Sequence, residues 1–145
     1  MAWPPVDFGV RIWLPGYAGS ARWYFTRDAM KIARELVEGA GPFSLDISLT
    51  ENLNDRGAVR KMCWGNMLVY VNDNGDAWVR LLDHSEFVPR DPVRAALSAE
   101  VAGFFDETDG PFAVRASDMI SRDQAHEALL HWLNSGGKSP KLNWD

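Results

Sequence analysis

The 145-residue chain has a single cysteine, Cys63, so it cannot close a disulfide within itself. Disulfides stabilise proteins of oxidising compartments, and a chain with one thiol suits a reducing one. No apolar run approaches the ~20 residues of a membrane-spanning helix. The first residues, MAWPPVDFGVRIW, lack the basic start and long apolar block of a signal peptide. These absences predict a cytoplasmic protein that does not act at a membrane.

The chain also has fewer basic residues than acidic ones. The 15 lysines and arginines are outnumbered by 20 aspartates and glutamates, which gives a formal net charge of −5. Because phosphate backbones are bound by a positive field, this balance disfavours nucleic acid as a partner. It is compatible with a basic protein surface as the partner.

Motifs that hold phosphates or metals are missing as well. Neither G-x-x-x-x-G-K-[ST] nor G-x-G-x-x-G occurs in the sequence. His126 and His131 are five residues apart in AHEALLHW, which turns the second ring by roughly 140° on a helix, so they cannot form an H-E-x-x-H zinc site. His84-Ser85-Glu86 matches half of a zinc deaminase site, but the P-C-x-x-C half is absent. We therefore expect neither a metal nor a cofactor.

Enzyme activity remains an alternative on two grounds. Cys63 and His84 could pair as nucleophile and base, although Met62 and Trp64 give Cys63 an apolar neighbourhood that favours an inert thiol. Paired carboxylates could support acid–base chemistry, although loop carboxylates are usually only solvated. The carboxylates concerned are Asp83, Glu86, Asp106, Glu107 and Asp109. An adaptor that binds a small ligand between sheet and helix is the other alternative.

Hydrophobic periodicity predicts two amphipathic helices. The first spans about 26–38, with Thr26 as its N-cap. The second spans 120–135 and begins with a capping box, in which Ser121 is followed three residues later by glutamine. Trp132 falls on the apolar side of this second helix, which predicts that it is buried.

Alternating apolar and polar residues predict about six strands. An Asn-Asp-Asn-Gly turn joins the two strands of the clearest hairpin, and Asn74-Gly75 is typical of a tight primed turn. Helices packed on a mostly antiparallel sheet make an α+β fold, and we expect one domain over residues 1–145. The predicted strands lie within 9–16, 43–50, 64–71, 76–82, 99–106 and the tail 139–145. The small residues within 94–110 are also compatible with a helix, and we favour the strand over 99–106.

One arrangement extends from the hairpin to the tail. It comprises Trp64–Val71, the turn, Trp78–Leu82, and a closing helix and tail, DQAHEALLHWLNSGGKSPKLNW. Over about residues 43–145 the chain resembles immunity protein family one of bacterial polymorphic toxin systems. LLDHSEF replaces the Ser-Leu-Gly-Asp/Pro-like piece that often follows the hairpin in that family. The tryptophan-rich N-terminal third has no counterpart in it.

The resemblance implies a protein that is not an enzyme. It would bind a cognate toxin domain, such as a nuclease or a deaminase, and occlude its active site. The free protein would be a monomer or a homodimer. Inhibitors present loops or an exposed sheet face, and tight interfaces combine aromatic anchors with a charged rim, so we expect Phe87, Phe104 and Phe105 to act as anchors. The predicted contact residues are Asp83, His84, Glu86, Phe87, Asp106, Glu107 and Asp109.

Overall fold

A computed structural model describes residues 8–13, 22–26, 29–39, 41–53, 59–83, 85–106 and 110–144 of the chain. The helices are α1 (Ala29–Glu38) and α2 (Arg122–Ser135). The strands are β1 (Phe8–Trp13), β2 (Arg22–Thr26), β3 (Phe43–Leu53), β4 (Val59–Val71), β5 (Asp76–Asp83), β6 (Ser85–Phe87), β7 (Pro89–Arg90), β8 (Glu100–Asp106), β9 (Gly110–Arg115), β10 (Ile120–Ser121) and β11 (Asn143–Trp144).

The strands of this described part form an antiparallel α+β architecture, as predicted. A seven-stranded sheet has the order β10-β5-β4-β3-β1-β2, with β6 paired to β5, and β7–β11 and β8–β9 form two separate pairs. There are more strands than the six expected: β2, β6, β7, β9 and β10 were not predicted, and three of these, β6, β7 and β10, are two or three residues long and too short to show an alternating pattern. Neither α1 nor α2 is long and apolar enough to span a membrane.

Both helices pack on one face of the large sheet, where the main core lies. Every second residue of β3, β4 and β5 points to this face, because side chains alternate along a strand. The core residues from these strands are Phe43, Leu45, Ile47, Met67, Val69, Val71, Ala77, Val79 and Leu81. From α2 the core receives Ala125, Ala128, Leu129, Trp132 and Leu133. Only 3% of Trp132 is exposed, which confirms its predicted burial.

The ends of the helices agree only partly with the predictions. Ser121 caps α2 in a capping box with Gln124, as expected. The prediction of Thr26 as the N-cap of α1 is wrong, because Thr26 ends β2 and pairs with Phe8 across the ladder. A β-branched residue fits a strand well, and strand pairing here outweighs the local capping signal.

Arg122 connects the two helices. Its guanidinium donates hydrogen bonds to the carbonyl oxygens of Leu36 at 2.7 Å and Gly41 at 2.9 Å. The carbonyls at the end of a helix have no partner within it and carry partial negative charge, so a cation there is favourable. Burial lowers the pKa of the Arg122 side chain. The first turn of α2 thereby holds the carboxyl end of α1.

The β4–β5 turn is wider than predicted. Asn72 pairs with Asp76 through a backbone hydrogen bond of 3.0 Å, which leaves a three-residue loop that ends at Gly75 with φ +78°. The Asn72 side-chain oxygen also accepts from the backbone N–H groups of Asn74 and Asp76. This Asx-type bonding, with glycine in the left-handed region, favours a three-residue loop over the two-residue primed turn.

The β8–β9 pair, called the ribbon below, covers part of the opposite face of the sheet. Phe104 has no exposed surface and belongs to a second core with Tyr70, Val114 and Met119. The predicted strand at 99–106 is thus confirmed, but Phe104 cannot be an interface anchor because a partner cannot reach it. The described part of the chain thus has three layers, with helices, sheet and ribbon in that order.

Gly103 and Asn72 join the ribbon to the β4–β5 turn. Asn72, only 1% exposed, donates from Nδ2 to the carbonyl oxygen of Ala102 at 3.2 Å. Gly103 has φ +95°, and a Cβ added there would lie 3.2 Å from the Asn72 Cβ. The close approach of the two backbones therefore requires glycine at this position.

We expect Gly103→Ala to lower the free energy of unfolding by about 1–2 kcal/mol, because alanine is strained in the left-handed region. Chemical denaturation measures the change. Gly137→Ala is the matched control, since its added Cβ would meet only the Ser135 hydroxyl at 3.6 Å and its φ is not left-handed. Equal stability of the two variants would contradict the close approach of Gly103 to Asn72.

Candidate functional site

The described residues cover only part of the sheet face that carries the ribbon. Beyond the ribbon, β3, β4, β5 and β6 present a set of half-exposed or exposed side chains, which we call the open face. Strand register arranges them in two adjacent rows across the sheet. The open face consists of Asp46, Asn66, Leu68, Arg80, Leu82 and Glu86.

Arg80 makes two side-chain contacts at the open face. Its Nε donates a hydrogen bond of 2.6 Å to Glu86 Oε1. Its guanidinium carbon lies 5.0 Å from the centre of the Trp78 ring, within the range of a cation–π contact. Trp78 is itself stacked on Tyr70, with ring centres 5.4 Å apart. The guanidinium is therefore held in place before any partner binds.

Glu86 is the most exposed charge on this face. Its side chain is 45% exposed, whereas that of Arg80 is 27% exposed. The hydrogen bond from Arg80 lowers the pKa of Glu86, and the positive charge of Arg80 adds to the effect, while desolvation opposes it. Glu86 is thus held in its ionised form. An ionised carboxylate has about four acceptor positions, so Glu86 can bind a cation in addition to Arg80.

Two leucines form the apolar part of the open face. Leu68 lies between Asp46 and Arg80 in one row, and Leu82 lies next to Glu86 in the other. Asn66 donates from Nδ2 to Asp46 Oδ1 at 3.1 Å. The arrangement is an apolar centre with charged side chains at its borders, which is the usual anatomy of a protein interface.

The structure separates two of the predicted contact residues. Glu86 points to the open face, whereas Phe87 lies on the opposite side of β6, pairs with Leu81 and packs against the main core. The Lys138 ammonium lies 4.1 Å from the centre of the Phe87 ring. Because neighbouring strand residues point in opposite directions, Glu86 and Phe87 do not form one contact surface.

The other predicted contact residues lie at element ends or outside the described ranges. The backbone of Asp83 pairs with Ser85 at the end of β5, and that of Asp106 pairs with Gly110 at the end of β8. The side chains of Asp83, Asp106 and Phe105 are not among those described. His84, Glu107 and Asp109 lie outside the described residues. Their contact with a partner stays a prediction.

Trp78 and Arg80 were missed by the sequence analysis as site residues. A signal was available, since both belong to the predicted strand 76–82 and are two residues apart. Period-two alternation places them on one face, and the core residues Ala77, Val79 and Leu81 occupy the other. The ion pair between Arg80 and Glu86 could not be predicted, because it depends on the chain turning back after β5 to form β6.

The described part of the chain does not test the enzyme alternative. Cys63 lies in β4, but its side chain is not described, and His84 lies outside the described residues. Among the residues that are described, no group of three or more His, Cys, Asp or Glu side chains could hold a metal ion.

We expect Cys63→Ser to retain partner binding and to change the free energy of unfolding by about 1 kcal/mol or less. The reason is the apolar neighbourhood of Cys63 and the absence of any nucleophile motif around it. Binding and a thermal melt measured on the same sample check both statements. Complete loss of function in a folded variant would indicate a reactive thiol.

The chain matches no model of a known protein family, and no curated protein matches it either.

Proposed function

We propose that this chain is a cytoplasmic immunity protein that binds a cognate toxin domain and blocks its active site, without catalysis of its own. The observation that carries the proposal is the open face, where Arg80 is held by Glu86 of the same face and by the ring of Trp78, which itself packs against the second core. The resemblance of residues 43–145 to immunity proteins supports the same function.

The composition of the open face supports tight protein binding. Tryptophan and arginine are enriched among the few residues that supply most of the energy of an interface. Arg80 is fixed by Glu86 and Trp78, so little side-chain entropy is lost when a partner binds. Leu68 and Leu82 supply apolar area beside these groups.

The charge of the chain supports a basic partner. A net charge of −5 attracts a positively charged surface and speeds association, an effect that weakens as salt is added. Toxins that act on nucleic acids need positive substrate clefts. An acidic protein that enters such a cleft would compete directly with the nucleic acid, which makes a nuclease or a nucleic-acid deaminase a suitable target.

A growth assay tests the function. Where a large gene next to this one encodes a variable C-terminal domain, that domain is the toxin to be used. Cells that express this domain alone should stop growing, and co-expression of the chain should restore growth. A catalytically inactive toxin domain serves as the control for expression burden. If folded, expressed protein gives no protection, the proposed pairing is wrong.

Charge reversal tests the role of the acidic segments. Replacement of Asp83, Glu86, Asp106 and Glu107 by lysine should slow association with the toxin domain by about tenfold or more at low salt and flatten the salt dependence. Stopped-flow fluorescence or biolayer interferometry measures the rate. The matched single variants are Glu86→Lys and Glu35→Lys, because Glu35 is exposed on α1, on the helix side of the sheet.

The two single variants separate local contact from general charge. We expect Glu86→Lys to slow association more than Glu35→Lys, since only Glu86 lies on the open face. Unchanged association of the quadruple variant at low salt would place the binding surface elsewhere on the molecule.

A further inference from the structure

The β4–β5 turn contains a pair of neighbouring residues that can react with each other. Asn74 is the only asparagine of the sequence that is followed by a glycine. The backbone nitrogen of the residue after an asparagine can attack the side-chain amide, and a glycine at that position has no Cβ to hinder the approach. Asn74 and Gly75 therefore have the chemistry for deamidation, and their surroundings decide whether it occurs in the folded chain.

The surroundings of Asn74 leave its side chain accessible. The residue is exposed to water, and among the described residues no hydrogen-bond partner holds its side-chain amide. A Cβ built on Gly75 would have no described atom within 4 Å. The turn therefore has room for a ring to close between the two residues, and water can reach the amide.

Asn72 belongs to the same turn and has the opposite surroundings. It is 1% exposed, and its side-chain oxygen accepts from the N–H groups of Asn74 at 3.0 Å and Asp76 at 2.9 Å. Its Nδ2 donates to the carbonyl oxygen of Ala102 at 3.2 Å. The amide is thus fixed at both its oxygen and its nitrogen, and the following residue, Asp73, has a Cβ. Asn72 is an internal control for the reactivity of Asn74.

We propose that Asn74 is a site of spontaneous deamidation in the folded chain. The N–H of Gly75 loses its proton to hydroxide, and the nitrogen forms a bond to Cγ of Asn74. The bond from Cγ to the side-chain nitrogen breaks, and this nitrogen leaves as ammonia. Water then opens the cyclic imide. Cleavage between Cγ and the ring nitrogen gives aspartate, and cleavage of the original main-chain bond gives isoaspartate.

One hydrogen bond limits the rate of this reaction. The N–H of Gly75 donates to the carbonyl oxygen of Asn72 at 3.2 Å, at the long end of the usual range for such bonds. The nitrogen must leave this bond before it can attack, so the reaction requires local opening of the turn. The unfolded chain lacks this bond and should react faster. Because hydroxide removes the proton, the reaction should also be faster at higher pH.

The two products affect the fold differently. Each adds a carboxylate that is ionised at neutral pH, but isoaspartate also lengthens the main chain by one carbon. The carbonyl oxygen of Gly75 accepts from the N–H of Arg122, the first residue of α2, at 2.9 Å. A longer main chain displaces this carbonyl. Isoaspartate at position 74 would therefore loosen the contact between the turn and α2, whatever partner the protein binds.

Storage of the purified chain at mildly alkaline pH tests the proposal. Peptide mass spectrometry follows the amide of each asparagine, and electron-transfer fragmentation distinguishes aspartate from isoaspartate. We expect Asn74 to lose its amide first and to give both products, while Asn72 and the exposed Asn134 of α2 retain theirs. Asn74→Gln is the matched variant, because its longer side chain closes a ring less readily, and it should remain unmodified.

Two results of the storage experiment would overturn the proposal. One is an Asn74 amide that lasts as long as that of Asn134 or Asn72 in the folded chain. The other is deamidation of Asn74 only after the chain has been unfolded in urea, since this would show that the folded turn protects it.

Thermal melting tests the effect on α2. Asn74→Asp has the charge of the products on a normal main chain and should melt close to the parent protein. The isoaspartate form, separated by ion exchange, should melt about 2–8 °C lower, the shift that loss of one hydrogen bond causes in a domain of this size. Equal melting of the isoaspartate form and Asn74→Asp would contradict the proposed loosening of α2.

Discussion

Replacement of Trp132 by alanine is expected to lower the free energy of unfolding by about 3–5 kcal/mol. Trp132 is 3% exposed and packs in the main core together with Leu129 and Leu133 of the same helix. Loss of the indole would leave a large cavity between α2 and the sheet, and the close-packed strands can collapse into it only in part. Typical domains are stable by about 5–15 kcal/mol, so the variant would keep a much smaller margin.

Thermal and chemical denaturation of Trp132→Ala measure this effect. The control is Asn134→Ala, on the exposed side of α2, which should change the stability by no more than about 0.5 kcal/mol. An unchanged melt for Trp132→Ala would show that α2 does not use this side chain to pack on the sheet.

Phe104→Ala is expected to destabilise the protein by about 3–5 kcal/mol as well. The ring has no exposed surface and lies against Tyr70, Val114 and Met119. Its centre is 5.8 Å from that of Phe112, and the two rings are stacked. The variant would thus weaken the attachment of the ribbon to the sheet.

This variant separates a core role from an interface role for Phe104. Val93→Ala is the control, because Val93 is exposed and its truncation should leave stability nearly unchanged. A Phe104→Ala protein with parent-like stability and greatly weakened toxin binding would support the interface role instead. We expect the opposite pattern, with a large loss of stability.

Features encoded by local sequence could be predicted. The capping box at Ser121 and the apolar stripe of α2 depend only on residues within one helix. The inward side of β3 follows from strict alternation over Phe43, Leu45 and Ile47. Such periodic signals need no knowledge of tertiary structure.

Features that depend on distant partners could not be predicted. Thr26 has good N-cap chemistry but pairs in a strand, because β1 supplies hydrogen-bonding partners. Phe104 lies in a predicted strand next to Phe105, and only the packing of the ribbon on Tyr70 shows that Phe104 is buried. The short strand β10 becomes evident only through its pairing with β5.

The candidate site was predictable only in its general chemistry. The sequence identified acidic residues after the hairpin, and Glu86 is indeed exposed beside an arginine. Alternation along β6 then separates Glu86 from Phe87. The segment Asp91–Ala99 carries no periodic signal, and the exposure of Val93 and Leu97 depends on what the remainder of the chain leaves uncovered.

Titration of the toxin's activity with the purified chain tests the central claim most directly. The toxin domain is held at a concentration well above Kd, and its turnover of substrate is measured as the chain is added. An inhibitor that occludes the active site should lower the activity linearly and reach background at one chain per toxin domain. Full activity in the presence of a large excess of folded chain would contradict the proposed function.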